Sequence, residues 1–500
     1  MNPARRASDR EGAHLLDPPL PFEMRPRIER ALADARLQAF VNGATLERDR
    51  GRVRVCQEAF GADLEALREL AGQVKQHTLD HLDVYLEQFI DQATAAGAHV
   101  HLAADANEAN EIALSLARAS GCKLCVKSKS MVTEEIGLLP RLQEIGVETI
   151  ETDLGEFIIQ LDKDAPSHIV TPMIHKDRSA VARAFQRELG APYTEDPEEL
   201  TRIARRYLRA KYREAGLGIS GANFLVAETG TLVLCTNEGN GSFCVSGPRL
   251  HVAFAGIEKV IPRLEHLSLF LKLLARSATA QAITVYTTMI TGPRRAADHD
   301  GPKALHIVLA DNGRTHLLRG ESRELLRCIR CGACLNACPV YRKVGGGHAY
   351  GAVYSGPIGA AITPLFKGLA NYRDLPQASS LCGACAEACP VKIDLPRHLV
   401  RLRQRAVEGH LTGFFERCVF RLWRIVLERS RLYRVATAMQ RVFLRAIGAR
   451  AGGKPPHGDG RWVWRAPGLL RGWTSQRDLL SPPSRGFRDW WRERAKEDKP

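Results

Sequence analysis

The sequence predicts an α/β domain, then a small cysteine-rich helical domain, then a basic region rich in tryptophan. Three observations support this order. Short apolar runs alternate with helical patterns over residues 71–310, seven of the 13 cysteines lie between residues 328 and 389, and all six tryptophans follow residue 420. Strands alternating with helices favour a parallel sheet with right-handed crossovers. The predicted domains, including a helical arm at the N-terminus, are residues 1–70, 71–310, 311–410 and 411–500.

The N-terminal arm is predicted to cover the α/β domain and to carry no chemistry. Arginine-rich segments alternate there with alanine and leucine, and apolar residues recur at helical spacing over residues 63–75. Within the α/β domain, helices are predicted over residues 105–119, 133–145 (with a kink at Pro140) and 262–277. The leucines predicted to face inward on the last helix are Leu264, Leu267, Leu271 and Leu274.

Apolar runs indicate the strands of the α/β domain. Two of the runs, residues 222–226 and 231–235, flank a predicted turn at Glu228 and Gly230. The remaining predicted strands are residues 99–102, 123–126, 147–152, 252–254, 259–261 and 283–287.

Residues 127–130, Lys-Ser-Lys-Ser, lie between a predicted strand and a helix start. Open α/β sheets bind ligands at the carboxyl ends of strands, and helix N-termini attract anions. The segment is therefore a candidate site for a carboxylate or a phosphate. In the alternative interpretation, Ser130 caps the helix and both lysines are solvated. The sequence favours neither.

Structural roles explain the other polar groups of this domain better. Glu228 adjoins a turn that needs only its glycine, and residues 237–241, Asn-Glu-Gly-Asn-Gly, indicate a phosphate loop only weakly. Structural roles are also expected for His168, His175 and His251. Buried, inert thiols are expected at the cysteines outside the motifs. These cysteines are Cys56, Cys122, Cys125, Cys235, Cys244 and Cys418.

The cysteine-rich domain carries one spacing pattern twice. The first copy, Cys-x2-Cys-x2-Cys-x3-Cys-Pro, comprises Cys328, Cys331, Cys334, Cys338 and Pro339. This is the spacing of bacterial ferredoxins that bind two [4Fe–4S] clusters. The second copy keeps the last three cysteine positions and the proline: Cys382, Cys385, Cys389 and Pro390. Ser379 stands where a first cysteine would fall. A ferredoxin-like domain with two clusters is therefore predicted.

In such ferredoxins, three cysteines of a motif hold one cluster and the fourth holds the other. Cluster 1 is thus predicted to be held by Cys328, Cys331, Cys334 and Cys389. Cluster 2 is predicted to be held by Cys338, Cys382 and Cys385, which leaves it one thiolate short. Ser379, Ser380, water or another cysteine (Cys235 or Cys244) could complete it, or one iron could be labile. Zinc needs no trailing Cys-Pro, and disulfides do not suit a cytosolic chain, so iron–sulfur binding is favoured.

The regions around the two motifs favour a helical cluster domain over a β-rich ferredoxin. Residues 395–407 have a helical pattern. Residues 345–348 and 354–359 are rich in glycine, which either allows close packing against a cluster or simply forms surface turns.

The net charge of +15 is concentrated near the C-terminal end. Residues 411–500 hold 20 lysines and arginines and 8 acidic residues, which gives +12. Ten of the 14 residues from 414 to 427 are apolar, with arginines on one face. Such a helix can lie on a membrane surface or pack under a partner, although an ordinary buried helix is slightly favoured. The arm beyond Gly448 is predicted to dock partner subunits through its tryptophans.

Other classes of partner and location are disfavoured. No nucleic-acid-binding motif accompanies the basic region. No apolar N-terminal run indicates a signal peptide, and no stretch of 18 apolar residues indicates a membrane span. A cytoplasmic location is therefore expected, where thiols stay reduced.

Several long phrases resemble the LUD domain of lactate utilization proteins. They are residues 126–136 (VKSKSMVTEEI), 151–161 (ETDLGEFIIQL), 166–170 (PSHIV), 174–176 (IHK), 227–234 (AETGTLVL) and 287–293 (TTMITGP). The resemblance continues through both cysteine motifs to residues 482–491 (PPSRGFRDWW). It implies a fold similar to the NagB/RpiA/CoA-transferase group. It also matches the iron–sulfur subunit of a three-protein system that oxidises L-lactate to pyruvate, and the ligand assignment in that family agrees with the one above.

The resemblance implies an electron-transfer subunit that works with other subunits of a lactate-oxidising complex. No catalytic residue is implied. No Gly-x-Gly-x-x-Gly fingerprint lies between a strand and a helix, so the oxidising cofactor is expected on a partner or in the α/β domain by another route. Two alternatives stay open. The α/β domain could itself be an enzyme acting on a carboxylate or a CoA-like anion, with clusters for structure or sensing. The same relay could also serve another 2-hydroxy acid, such as glycolate.

Overall fold

The computed structural model describes residues 18–450, 462–463, 465–468, 471–475, 477–483 and 486–497. The chain divides into two compact units, residues 1–409 and 410–500. The helices of the first unit are α1 Arg25–Ala33, α2 Ala35–Phe60, α3 Leu64–Asp80, α4 Leu82–Ala95, α5 Ala106–Ala119, α6 Met131–Glu135, α7 Leu138–Glu144, α8 Leu154–Leu161, α9 Arg178–Leu189, α10 Pro197–Glu214, α11 Asn240–Ser246, α12 Leu264–Thr279, α13 Arg314–Arg319, α14 Ala333–Ala337, α15 Pro339–Lys343, α16 Gly356–Lys367, α17 Ala384–Glu387 and α18 Leu395–Glu408.

The strands of the first unit form two sheets. They are β1 His99–Ala103, β2 Leu124–Lys127, β3 Glu148–Glu151, β4 Leu217–Ser220, β5 Phe224–Val226, β6 Thr231–Thr236, β7 Leu250–Gly256, β8 Val260–Ile261, β9 Tyr286–Ile290 and β10 Ala304–Ala310. Six of them pair in the order β1-β10-β7-β4-β2-β3, and every pair is parallel. This confirms the predicted α/β class with a parallel sheet.

Aspartates at helix starts explain where several helices of the α/β part begin. The side chains of Asp105, Asp153, Asp177 and Asp196 each accept a hydrogen bond from a backbone N–H in the first turn of the following helix. Such a cap satisfies a donor that has no partner inside the helix. Strands β2, β4 and β7 are buried along their whole length, as expected for a sheet covered by helices on both faces.

The second sheet has the order β8-β5-β6-β9 and contains the predicted hairpin. Strands β5 and β6 are antiparallel, and Gly230 in the turn has φ 64°. A side chain at that position would also collide with the backbone of α4, because an added Cβ would lie 2.3 Å from the Ala93 nitrogen. Only glycine fits this turn.

Three details of the predicted elements are wrong. The helix expected over residues 133–145 is two helices, and it breaks at Gly137 (φ 65°) instead of at Pro140. Pro140 lies in the first turn of α7, where its missing N–H leaves no bond unmade. Leu264 is exposed at the start of α12, whereas Leu267 and Leu274 are buried. Strands β4 and β10 were not predicted; β4 has four residues and β10 has seven, and both lie inside the sheet.

The N-terminal helices pack against both the α/β part and the cysteine-rich part of the first unit. Helix α2 contacts α12 as well as α14 and α15 of the cysteine-rich part. Its Val41 and Thr45 are fully buried. The helix predicted over residues 63–75 is present as α3. No strand lies among residues 311–409, so the cluster domain is helical, as predicted.

The second unit begins with two helices, α19 Phe414–Glu428 and α20 Ser430–Arg450. The other described elements are a pair of short antiparallel strands and two further helices: β11 Trp462–Val463, α21 Arg471–Thr474, β12 Leu479–Leu480 and α22 Phe487–Glu497. The predicted C-terminal arm is described only in part, because Trp464 and residues 451–461 lie outside the described residues.

Helix α19 has no buried residue, so the expectation of an ordinary buried helix is wrong. Its Phe414 and Trp423 are 76% and 57% exposed. Cys418, on the same helix, is exposed and not buried as expected. In the part of the chain that the structure covers, no helix is long and apolar enough to cross a membrane.

Candidate metal centre and adjoining pocket

Four cysteines from the two motifs line one small cavity of about 20 Å³. Ile329, Ile358 and Val391 are among the apolar side chains that close it. The cysteines are Cys328, Cys331, Cys334 and Cys389, the four predicted for cluster 1. The structure therefore brings together residues separated by up to 61 positions, and we call this set the first thiol group.

Left-handed backbone and N–H donors shape the loop around the first thiol group. Arg330 has φ 60° and Gly332 has φ 74°. The backbone N–H of Arg330 donates to Cys328 Sγ, and that of Ile393 donates to Cys389 Sγ, both at 3.4 Å. Hydrogen bonds of this kind orient the sulfur ligands of iron–sulfur clusters and tune their potential.

Three thiols of the first group, Cys331, Cys334 and Cys389, resist ionisation on their own. Burial is the main reason that the pKa of Cys331 and that of Cys334 lie well above the usual range, and the neighbouring thiols add to the effect. Burial also raises the pKa of Cys389 to about 11. A bound cationic metal core would remove this cost by stabilising the thiolates. A set made only of soft thiolates suits an iron–sulfur cluster or zinc, so the residues fit the predicted cofactor.

Helix α3 holds the end of the second motif through Arg68. The Arg68 guanidinium donates to the backbone oxygen of Cys389 at 2.8 Å and 3.1 Å, and to that of Glu387 at 2.6 Å. Arg68 is buried and also pairs with Glu65. Residues 1–70 were expected to carry no chemistry, so this contact was not predicted. The available signal was an arginine on the apolar face of α3, between Leu67 and Ala71.

The other three motif cysteines form a second thiol group: Cys338, Cys382 and Cys385. Burial, and then the neighbouring Cys338, raise the pKa of Cys385 to about 12. Burial also raises the pKa of Cys338, and Cys382 is one of the thiols near it. Cys338 Sγ accepts a hydrogen bond from the backbone N–H of Tyr341 at 3.4 Å. Cys382 is exposed, unlike the other two. The second thiol group therefore borders the protein surface.

The serines near the second thiol group have different partners. Two hydrogen bonds lower the pKa of Cys382. The larger effect comes from the backbone N–H of Ala384, and the second comes from the Ser380 hydroxyl. Ser379 Oγ instead accepts the N–H of Leu381 at 3.1 Å. Ser380 is thus the serine in contact with this thiol group. Cys244 lies elsewhere, 3.2 Å from Thr152 Oγ1 in the α/β core.

A larger cavity of about 270 Å³ adjoins the first thiol group. Residues just after four neighbouring strands line it: Ser128 after β2, Asp153 after β3, Asn223 after β4 and Lys259 after β7. It therefore lies outside the carboxyl ends of the parallel sheet, where open α/β folds bind ligands. Arg330 and Ile169 line both cavities. We call the larger cavity the sheet-edge pocket.

The predicted candidate at residues 127–130 is only partly at this pocket. Lys127 is fully buried and donates to Glu151 at 2.7 Å and 2.9 Å, so it is neither solvated nor a ligand group. Lys129 lines the pocket, but its ammonium donates to the Val170 carbonyl at 2.8 Å. Ser130 both lines the pocket and caps α6. The structure thus combines the two interpretations.

The other candidate groups of the α/β part have the following partners. Glu228 Oε2 accepts the N–H of Leu264 at 2.9 Å and so caps α12. His168 Nε2 lies 3.2 Å from Asn336 Oδ1, and His251 Nε2 lies 2.8 Å from Ser220 Oγ. Cys122 lies 2.9 Å from the Ser120 hydroxyl. Each side chain has a structural partner.

His175, Asp164 and His348 lie close enough together to suggest a metal site. However, His175 Nε2 bonds to Asp164 at 2.9 Å, and the Lys176 ammonium lies 2.7 Å from the same carboxylate. The lysine already balances the charge of Asp164. A structural ion-pair cluster therefore explains this group.

A buried charge network beneath the pocket was not predicted. The Arg314 guanidinium donates to Glu258 at 2.6 Å and to Glu135 at 2.8 Å and 2.9 Å. Arg330 lies 3.6 Å from Glu258, and its guanidinium stacks 4.3 Å from the centre of the Tyr354 ring. No local pattern signals this network, because Arg314 lies 56 and 179 positions from its two partners.

Comparisons with known proteins agree with this architecture. Family models match three consecutive parts of the chain: the LUD domain (residues 86–310), the 4Fe-4S dicluster domain (residues 324–393) and lactate utilisation protein B, C-terminal (residues 401–496). A crystal structure of a DUF162 family protein from Deinococcus radiodurans matches at 14% identity with a TM-score of 0.27, over 46% of this chain and 98% of that one, which is too weak to support an argument.

Curated relatives match along almost the whole chain. Lactate utilization protein B of Geobacillus kaustophilus is 44% identical over 92% of this chain and 95% of the relative. The proteins of the same name from Shouchella clausii and Bacillus cereus are 42% and 40% identical, each over 94% of this chain and 97% of the relative. The chain therefore belongs to the lactate utilization protein B family.

Proposed function

We propose that this protein acts in lactate utilization as the subunit that relays electrons through two [4Fe–4S] clusters while L-lactate is oxidised to pyruvate. The names of its relatives support the pathway. The grouping of the motif cysteines carries the proposal, because residues from both motifs meet in one apolar cavity. When bound, such clusters supply transfer of single electrons.

The two thiol groups are assigned as the ligand sets. Cys328, Cys331, Cys334 and Cys389 hold cluster 1, and Cys338, Cys382 and Cys385 hold cluster 2. Ser380 is the first candidate for the missing fourth ligand, because its hydroxyl already bonds to Cys382. Arg68 and the N–H groups of Arg330 and Ile393 keep the loops of cluster 1 in place.

Burial suggests a direction for the relay. The first thiol group is enclosed and adjoins the sheet-edge pocket, whereas Cys382 of the second group is exposed. Electron transfer between proteins requires close approach of a partner, so we assign the Cys382 edge to exchange with another subunit. No catalytic residue is assigned for lactate oxidation itself.

The second unit is proposed to dock the partner subunits. Helix α19 exposes seven large apolar side chains, and the unit carries most of the net charge. Exposed apolar residues together with arginines are typical of interaction surfaces. Truncation after Gly448 should lower the yield of co-purified subunits, and full yield would contradict docking by this arm. Binding of the isolated full-length protein to anionic vesicles would instead indicate a membrane-surface contact.

We also place the protein in the cytoplasm, where clusters are assembled and thiols stay reduced.

The relay is tested by metal analysis of protein purified without oxygen. Two [4Fe–4S] clusters require about eight iron atoms per chain. Zinc, or no iron, would contradict the proposal.

Cells carrying Cys331→Ser should fail to grow on lactate, whereas cells carrying Cys122→Ser, a substitution outside both motifs, should grow normally. Growth on glycolate but not on lactate would indicate the other 2-hydroxy acid as substrate.

A further inference from the structure

The sheet-edge pocket has the shape and position of a small-molecule site. It encloses about 270 Å³, near the lower end of the range for ligand pockets. Residues that follow β2, β3, β4 and β7 form its floor, and α12 contributes an apolar wall through Leu274, Ala275 and Ala278. A ligand here would meet both polar groups and a hydrocarbon surface, which suits a small organic molecule better than an inorganic ion.

Lys259 is the first sign that the ligand is an anion. It is only 8% exposed and lines the pocket. Its ammonium makes no hydrogen bond and no ion pair with any described residue, although the adjacent Glu258 is committed to Arg314 at 2.6 Å. The Glu258 carboxylate favours the charged form of Lys259 without contacting it, and a buried ammonium that lacks a directly bonded anion is costly.

Arg330 supplies a second unsatisfied donor at the same pocket. The residue is 9% exposed, and its Nη1 is buried without a hydrogen-bond partner in the described chain. Stacking on Tyr354 at 4.3 Å and the Glu258 carboxylate 3.6 Å from Nη2 hold the guanidinium in place. Arginine donors held in a fixed direction are well suited to a carboxylate.

We propose that the sheet-edge pocket binds a small organic carboxylate, with Lys259 and Arg330 receiving its acid group and the α12 wall receiving its hydrocarbon part. Because Arg330 also lines the cavity of the first thiol group, the ligand lies next to the ligand set assigned to cluster 1. The proposal concerns binding and does not depend on the electron relay.

The alternative role for these cations is to balance the charge of a bound cluster. Lys75 offers a matched comparison. It is also buried, and the Cys328 thiol is among its charged neighbours, as it is for Lys259. Unlike Lys259, it donates to the carbonyl oxygens of Glu258 and Val260 and does not line the pocket. Substituting either lysine by methionine removes an amine near the first thiol group, but only Lys259 faces the pocket.

The test is anaerobic calorimetric titration of the full-length, iron-loaded protein. The probes are pyruvate and L-lactate, with lactamide as an uncharged analogue of the same size and inorganic phosphate as an anion without a hydrocarbon part. We expect at least one carboxylate to bind, and lactamide and phosphate to bind at least tenfold more weakly. Absence of carboxylate binding at millimolar concentrations, or equal binding of lactamide or phosphate, would overturn the proposal.

Variants then locate the site. Lys259→Met should weaken carboxylate binding at least tenfold while iron content stays at the level of the unsubstituted protein, and Lys259→Arg should recover much of it. Lys75→Met should keep the affinity. Unchanged affinity in Lys259→Met, or an equal loss in Lys75→Met with its iron retained, would refute the assignment. If Lys259→Met does not fold, the failure of Lys259→Arg to bind would refute it as well.

Discussion

Arg314 Nε donates to Glu258 Oε2 at 2.6 Å, and both side chains are buried. The other arm of the guanidinium holds Glu135, which also accepts a hydrogen bond from the Tyr354 hydroxyl. One arginine thus joins α6, the segment after β7 and the cysteine-rich part. Burial alone would raise the pKa of Glu258, but the guanidinium groups of Arg314 and Arg330 outweigh it and hold the pKa at about 2.

Arg314→Leu should destabilise the protein by about 3–5 kcal/mol, because it leaves Glu135 buried without a counter-charge and leaves Glu258 with only the more distant guanidinium of Arg330. The free energy of unfolding can be measured by guanidinium titration under anaerobic conditions. Arg319→Leu is the matched control, since Arg319 is exposed on the same helix α13, and its effect should stay within about 0.5 kcal/mol. Equal effects from the two variants would show that the network contributes no stability.

The two thiol groups should lose iron independently. Cys331→Ser removes a ligand of the first group and Cys382→Ser one of the second, so each variant should retain about half of the roughly eight iron atoms. Iron and sulfide analysis after anaerobic purification measures the loss. Cys122→Ser should retain all of the iron. Complete loss in Cys382→Ser, with half retained in Cys331→Ser, would contradict the assignment of the exposed thiol to a separate cluster.

Arg68→Leu should speed the release of iron from the first thiol group. A hydrogen bond with a charged donor contributes about 1.5–3 kcal/mol, so a rate increase of roughly 10- to 100-fold is expected if the clamp is lost during release. Iron release to a chelator can be followed by absorbance. Arg54→Leu, at an exposed position of α2, should release iron at the normal rate. If Arg68→Leu behaves the same way, the clamp on the Cys389 carbonyl does not protect the centre.

His251 should make stability fall as the pH falls. Burial lowers its pKa to about 3, whereas an unfolded histidine has a pKa near 6.5. Between these values the unfolded chain takes up a proton that the folded protein excludes, so His251 contributes about 1.4 kcal/mol of lost stability per pH unit. His251→Gln should reduce the slope of the unfolding free energy between pH 6.5 and 5 by that amount. An unchanged slope would show that His251 accepts the proton in the folded state.

Prediction from sequence succeeded where the pattern is local. The α/β class, the hairpin at Gly230 and the helical cluster domain follow from periodicity and turn residues, and the structure confirms them. The position of the pocket was also anticipated in part, because residues 127–130 follow a parallel strand. The wrong predictions also have local causes. Apolar spacing alone predicted one continuous helix over residues 133–145, whereas the helix breaks at Gly137.

The sequence did not predict which charged side chains are buried and which of them are paired. Lys127 and Lys259 both stand beside apolar strands, yet Lys127 is paired with Glu151 in the core, whereas Lys259 lines the pocket and has no hydrogen-bond or ion-pair partner among the residues that the structure describes. The difference arises from which strands are neighbours in the sheet. In the order β7-β4-β2-β3, residues more than 100 positions apart come to line one cavity.

The sequence by itself determined the class of fold and predicted which cysteines lie together, because periodicity and motif spacing are carried by residues close in the chain. Only the tertiary structure decided that Arg68 clamps the second motif, that Arg314 joins three segments and that Arg330 lies between the thiol cavity and the pocket. The physical reason is that burial of a charge depends on its partners, and those partners come from distant segments whose packing no local pattern encodes.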